Sequence, residues 1–270
     1  MITALLILAA LGSEGPEAGG RRLELPGGAT LILPLDPPEA GPIDLVVHLH
    51  GAVPAVERAL DASGWDAAAV VVNEPGLSSA YSRPFSAPSL FPTLLDQARS
   101  ALAEALPGAD PDAGLLIVSS FSAGFGGVRE LLKQGDALDR IDALVLADSL
   151  YCGYEGDPAD RRLDPALMLG FRRFAAEAAA GRKAMLVSHC ALVPDGYGST
   201  AETADDLVRH VGGAFEPGRE DWGGGWIRSR EFRRGGLLML GFEGEAGEDH
   251  LRHLRSLGAL WRRLPEADRP

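Results

Sequence analysis

The sequence predicts an α/β protein, a mostly parallel sheet with helices on both faces. Three observations predict it. Short apolar runs rich in Val, Leu and Ile alternate with longer segments of helical period. The runs are nearly continuous rather than alternating with polar residues, so both of their faces are buried. Polar, chemically active residues fall just after the runs, where parallel sheets hold their ligands.

Residues 2–11 are an almost unbroken apolar run ended by Gly12-Ser13-Glu14-Gly15-Pro16. Its length suits a signal-peptide core and is too short for a spanning helix. Ala10-Leu11-Gly12 supplies small residues for cleavage. Residues 1–20 are therefore expected as a signal peptide and leader, with export to the periplasm or outside the cell. The basic segment that usually precedes such a core is missing. The alternative is a cytoplasmic protein with a buried first strand.

Residues 21–25 and 29–35 read as a strand pair around Pro26-Gly27-Gly28, a hairpin. Strands follow at 43–49 and 69–72, with a short helix at 54–61 between them. Residues 73–91, rich in Gly, Ser and Pro, read as a loop. A helix over 89–106 sets Leu90, Leu94, Leu95, Ala98, Leu102 and Leu106 on one face. Residues 115–118 form a strand and 128–134 suit a helix. The next strand is 141–147. The helix at 165–180 opens on Pro165 and closes at Gly181. After a strand at 184–187, Ser199-x-x-Glu202 is a capping box for a helix at 200–211. The last strand is 236–241 and the last helix 249–264. No internal repeat divides the chain, and residues 21–270 are expected as a single domain.

The 270 residues are 46% hydrophobic, enough for a sizeable core. A net charge of −13 argues against a nucleic-acid partner. No apolar run reaches the length of a membrane span. Cys152 and Cys190 each follow a strand, so one bridge between neighbouring strands and two free thiols are both open.

The chemistry concentrates at strand ends. Leu115 to Val118 leads into Ser120-Phe121-Ser122-Ala123-Gly124 and then a helix. A serine hydroxyl is a poor nucleophile unless held out of the packed structure beside a base. A tight strand-to-helix turn does this and tolerates only small residues two before and two after the serine. Ser120 stands where glycine is usual.

His48-Leu49-His50-Gly51 ends the strand at 43–49. An N–H of Gly51 or Ala52 there, with that of Ala123, could receive an oxyanion. His50 reads first as a histidine that packs and bonds the loop. His48-x-His50 lacks a third ligand at metal spacing, so neither metal nor cofactor is expected. Asp148 lies at the mouth of the strand at 141–147, where a carboxylate can orient an imidazole. Asp195 and Glu202 are its rivals. His250, after the last strand, is the base; His253 is expected to be solvent-exposed.

The order Ser122, Asp148, His250 resembles that of the α/β-hydrolase superfamily. The resemblance covers residues 21–264 and rests on the hairpin start, the His50-Gly51 turn, the elbow and the Asp249-His250 loop, taken together. It implies a serine hydrolase with Ser122, an acid and His250 as triad, and an acyl-enzyme mechanism. Most members place the acid one strand later than Asp148, and a minority place it there. No large lid fits the short segment after Asp148. A cleft lined by His50, Tyr81, Tyr151 and Tyr197, with the 73–91 loop and Trp222-Gly223-Gly224-Gly225-Trp226 as further walls, would take a small-molecule or polymer acyl substrate. The expected reaction is carboxylic ester hydrolysis. The alternatives are an amidase or peptidase with the same triad, and a non-catalytic binding protein on the same fold.

Overall fold

The structure, a computed structural model, describes residues 21–264. The expected leader at 1–20 lies outside them. In chain order the elements are β1 (Arg21–Glu24), β2 (Thr30–Leu33), β3 (Gly41–Pro42), β4 (Leu45–Leu49), α1 (Val53–Ser63), β5 (Ala68–Val72), α2 (Ser78–Phe85), α3 (Leu90–Ala105), β6 (Ala109–Asp110), β7 (Leu116–Phe121) and α4 (Phe125–Leu131). They continue with α5 (Gly135–Arg140), β8 (Ala143–Ala147), α6 (Pro165–Ala179), β9 (Ala184–His189), α7 (Thr200–His210), β10 (Glu216–Asp221), β11 (Ile227–Arg234), β12 (Leu237–Phe242), α8 (Gly247–Arg255) and α9 (Leu257–Trp261).

Ten strands form one sheet in the order β1-β2-β5-β4-β7-β8-β9-β12-β11-β10. The six from β5 to β12 run parallel, and antiparallel hairpins close both edges. Successive side chains of a strand point to opposite faces, so each apolar run feeds two cores. Val47, Val118, Leu146 and Val187 meet α2, α3, α4, α6 and α7 on one face. Val46, Ile117, Val145 and Leu186 meet α1, α8 and α9 on the other. Burial on both faces is why these runs are continuously apolar. No helix among the described residues is long and apolar enough to cross a membrane.

Three of the departures from the sequence reading have a local cause. The 73–91 loop contains α2, hidden by its Ser-rich start and by Pro84 in its last turn. The β10–β11 hairpin, which Trp222 to Trp226 closes, was unmarked because its strands alternate charge rather than apolarity. The last helix breaks at Ser256 into α8 and α9.

Candidate active site

Strand β7 ends at Phe121, and a single 3-10 turn over Ser122–Gly124 leads into α4. Ser122 has φ 47°, the left-handed backbone of a sharp elbow. Gly124 has to lack a side chain, since a Cβ there would lie 2.3 Å from the Leu49 carbonyl oxygen. Ser120 has a use that glycine could not serve. The Ser149 hydroxyl donates to the Ser122 carbonyl at 2.9 Å. Its proton is thereby spent, so at 2.8 Å Ser120 is the donor and Ser149 the acceptor. Two serines thus tie the elbow to the loop after β8.

Ser122 Oγ lies 2.8 Å from His250 Nε2, and His250 Nδ1 lies 2.6 Å from Asp148 Oδ2. Asp148 follows β8 with φ 44° and is fully buried. Its Oδ1 accepts from Thr200 Oγ1 and from the Cys190 N–H, the latter at 3.3 Å. Its Oδ2 also accepts the Cys190 thiol at 2.9 Å. Burial pushes this carboxyl up; the nearby His253 and His250 and the Cys190 hydrogen bond outweigh it and hold the group well below the usual carboxylate range. An ionised Asp148 accepts only, so Nδ1 carries the imidazole proton and Nε2 is the acceptor for the Ser122 hydroxyl. Of the rival acids, Asp195 is exposed. Glu202 is engaged by Arg161 and by the Ser199 cap.

His50 has φ 69° and turns toward α2. The Tyr81 hydroxyl gives its proton to the Glu74 carbonyl at 3.0 Å, so it accepts at 2.8 Å from His50 Nδ1. Burial, and then the neighbouring His250, lower the His50 pKa to about 4. His48 points to the opposite face, with Nδ1 2.9 Å from Ser119 Oγ and its ring beside Trp261. The two histidines therefore do not converge on one point. The Gly51 N–H donates to Asn73 Oδ1 at 3.2 Å. The N–H of Ala52, the residue capping α1, and that of Ala123, in the elbow turn, belong to helix starts whose amides are unspent within the helix.

Tyr151 and Tyr197 pack edge-to-face at 5.7 Å, and Tyr151 also touches Phe125 beside the elbow. Tyr197 is 44% exposed. Tyr81 is fully buried and braces His50, so it lines no cleft. Trp226 is buried and stacks on Phe242 at 3.9 Å, which makes the glycine-rich turn a fastening of the edge hairpin and not a wall. The expectation of an exposed His253 is overturned. It is fully buried between Trp226 and Phe242, with Nδ1 2.8 Å from Ser188 Oγ. Both cysteines are free thiols, although β8 and β9 are neighbours. Cys152 turns toward the Asp164 carbonyl and Cys190 toward Asp148.

Among the described residues, Asp148, Cys190 and His253 bring ligand-type atoms within 4.8 Å of one another. The Asp148 oxygens are already occupied by His250, Thr200 and Cys190, so the group is a hydrogen-bonded network.

No protein-family model matches the sequence, and no curated protein matches it. Solved structures do. An uncharacterised protein from Capnocytophaga ochracea superposes with TM-score 0.51 at 11% identity, over 92% of this chain and 64% of that one. A bacterial heroin esterase gives 0.47 at 16% identity, over 97% and 90%. The S-formylglutathione hydrolase of Staphylococcus aureus gives 0.46 at 15%, over 90% and 95%. Likeness at this level speaks to fold alone. Sheet order, covered faces and the strand-turn-helix at Ser122 define it: the chain has the α/β-hydrolase fold.

Proposed function

We propose that the protein is a serine hydrolase that cleaves carboxylic esters through an acyl-enzyme. The observation that carries this reading is the hydrogen-bonded line Ser122–His250–Asp148, at 2.8 and 2.6 Å. The structural histidines His48 and His253 each bond one serine through Nδ1 and leave Nε2 without a partner among the described residues, whereas His250 joins a serine to a buried carboxylate.

In the proposed reaction His250 Nε2 takes the Ser122 proton as Oγ attacks the acyl carbon. Asp148 steadies the imidazolium that forms. The carbonyl oxygen becomes an oxyanion and rests on the N–H groups of Ala123 and Ala52. Gly51 is the weaker candidate because its N–H is engaged by Asn73. Each such donor is worth on the order of 3 kcal/mol in the transition state. His250 then protonates the leaving alcohol. Water, deprotonated by His250, attacks the acyl-enzyme, and the acid leaves as Ser122 regains its proton. Tyr151 and Tyr197 flank the open side, where a small-molecule or polymer acyl substrate would enter.

The test is labelling with a fluorophosphonate probe. Wild type is expected to label and to hydrolyse a p-nitrophenyl ester, and a folded Ser122→Ala to do neither. A folded wild type that stays unlabelled and inactive sinks the proposal.

A further inference from the structure

We infer that Cys190 and Thr200 are positioning residues that hold Asp148 in register for His250. The two come from separate elements. Cys190 directly follows β9, and Thr200 opens α7. Together they place three donors on one carboxylate: Thr200 Oγ1 and the Cys190 N–H on Oδ1, and the Cys190 thiol on Oδ2. That leaves Oδ2 facing His250 Nδ1.

The local sequence divides the work. A helix starting at Thr200 needs an N-cap, and Ser199 supplies it with Glu202 as a capping box. Thr200 Oγ1 is thereby released from capping and turns to Asp148. Cys190 is fully buried, and its thiol has no disulfide partner. A carboxylate one residue past its strand, in a left-handed backbone, has little else to fix its rotation. With Oδ1 anchored, the carboxyl plane cannot swing away from the imidazole. Without the anchors the carboxylate is free to rotate off the line to Nδ1, and the hydrogen bond to His250 loosens.

The groups that face this pair are Tyr151 from the loop after β8, His189 and Cys190 at the end of β9, His253 on α8 and His50 after β4, with Asp249 acting on His253. None of them is altered by a change at Thr200, so a shift seen in that variant belongs to Asp148 and His250.

The experiment uses the full chain in four variants: Thr200→Val and Cys190→Ala, which remove a side-chain donor, and Thr200→Ser and Cys190→Ser, which keep one. The resonance of the His250 Nδ1 proton, which lies in the hydrogen bond to Asp148, followed by NMR of histidine-labelled protein, is expected to move upfield in Thr200→Val and Cys190→Ala as that bond loosens. It is expected to stay at the wild-type value in the two serine variants. On a p-nitrophenyl ester, kcat is expected to fall on the order of tenfold in the first pair, with KM little changed.

An unmoved resonance in folded Thr200→Val and Cys190→Ala overturns the inference, and so does a moved resonance in either serine variant. The kinetic arm rests on the hydrolase reading and the NMR arm does not. A wild type without esterase activity whose variants still shift His250 defeats the function and keeps the positioning role.

Discussion

Substituting Gly124→Ala tests whether the elbow and the proposed oxyanion loop are one mechanical unit. The new Cβ would stand 2.3 Å from the Leu49 carbonyl oxygen and 2.8 Å from its carbon. Contacts of this kind below 3.0 Å are essentially never seen, so β4 and the elbow must separate by about 0.7 Å. Both atoms met are backbone, and no side chain can rotate out of the way. Leu49 directly precedes His50, Gly51 and Ala52, so the displacement reaches the proposed oxyanion donor on one side and Ser122 on the other. Overpacking of this kind costs about 1–3 kcal/mol, which in a chain of this size is a fall of roughly 2–6 °C in Tm. The geometric effect is larger, since misplacement near 1 Å costs about a hundredfold in rate. The assay is thermal melting beside kcat/KM on a p-nitrophenyl ester. Gly135→Ala serves as control, because a Cβ there meets nothing within 4 Å. A folded Gly124→Ala with wild-type turnover and wild-type Tm would refute the reasoning.

Asp148→Asn presents an amide to His250 Nδ1, favours the wrong tautomer, and is expected to lower kcat by about 10⁴, whereas Asp195→Asn stays near wild type. A large loss confined to the Asp195 variant reverses the assignment. Burial above all holds His48 down to about 3 and His50, His189 and His253 down to about 4, so the fold leaves all four neutral at pH 5. The unfolded chain protonates them near pH 6.5 and binds more protons, so stability falls as pH drops from about 6.5 toward 4, by up to about 5 kcal/mol per unit. Denaturant midpoints measured from pH 7 to 5 check this, and a flat profile contradicts it. Trp226→Ala is expected to cost about 3–5 kcal/mol through the lost stack on Phe242, while Ser122 still labels with fluorophosphonate. Loss of labelling in folded protein would put Trp226 back in the site.

The central strands were legible because a strand buried on both faces has no choice but to be apolar along its length, as Leu45–Leu49 and Ala143–Ala147 are. The elbow was legible because small residues at fixed distances around Ser122 answer a steric demand. The edge hairpin was not, because β10 and β11 lie half out of the core. Arg228 pairs with Glu220 and Glu231 there, and a ladder of ion pairs leaves no apolar alternation. His253 was read as exposed because its burial comes from Trp226 and Phe242, 27 and 11 positions away in the sequence. The donors to Asp148 were hidden for the same reason, at separations of 42 and 52 residues. One local signal did exist: with Ser199 already capping the helix, Thr200 had a hydroxyl to spare.

Four non-glycine residues among those described take a left-handed backbone. One is Arg161, in the loop after β8. The other three, His50, Ser122 and Asp148, follow the three adjacent strands β4, β7 and β8. Each such conformation costs on the order of 1 kcal/mol that glycine would not incur. A chain selected for durability alone would drift toward glycine at all three positions, becoming tougher and inert. That it holds a histidine, a serine and an aspartate there instead means that three neighbouring turns are kept under tension for what their side chains reach. A search for stabilising substitutions should expect glycine to look favourable to the backbone at just those positions, and should leave them alone.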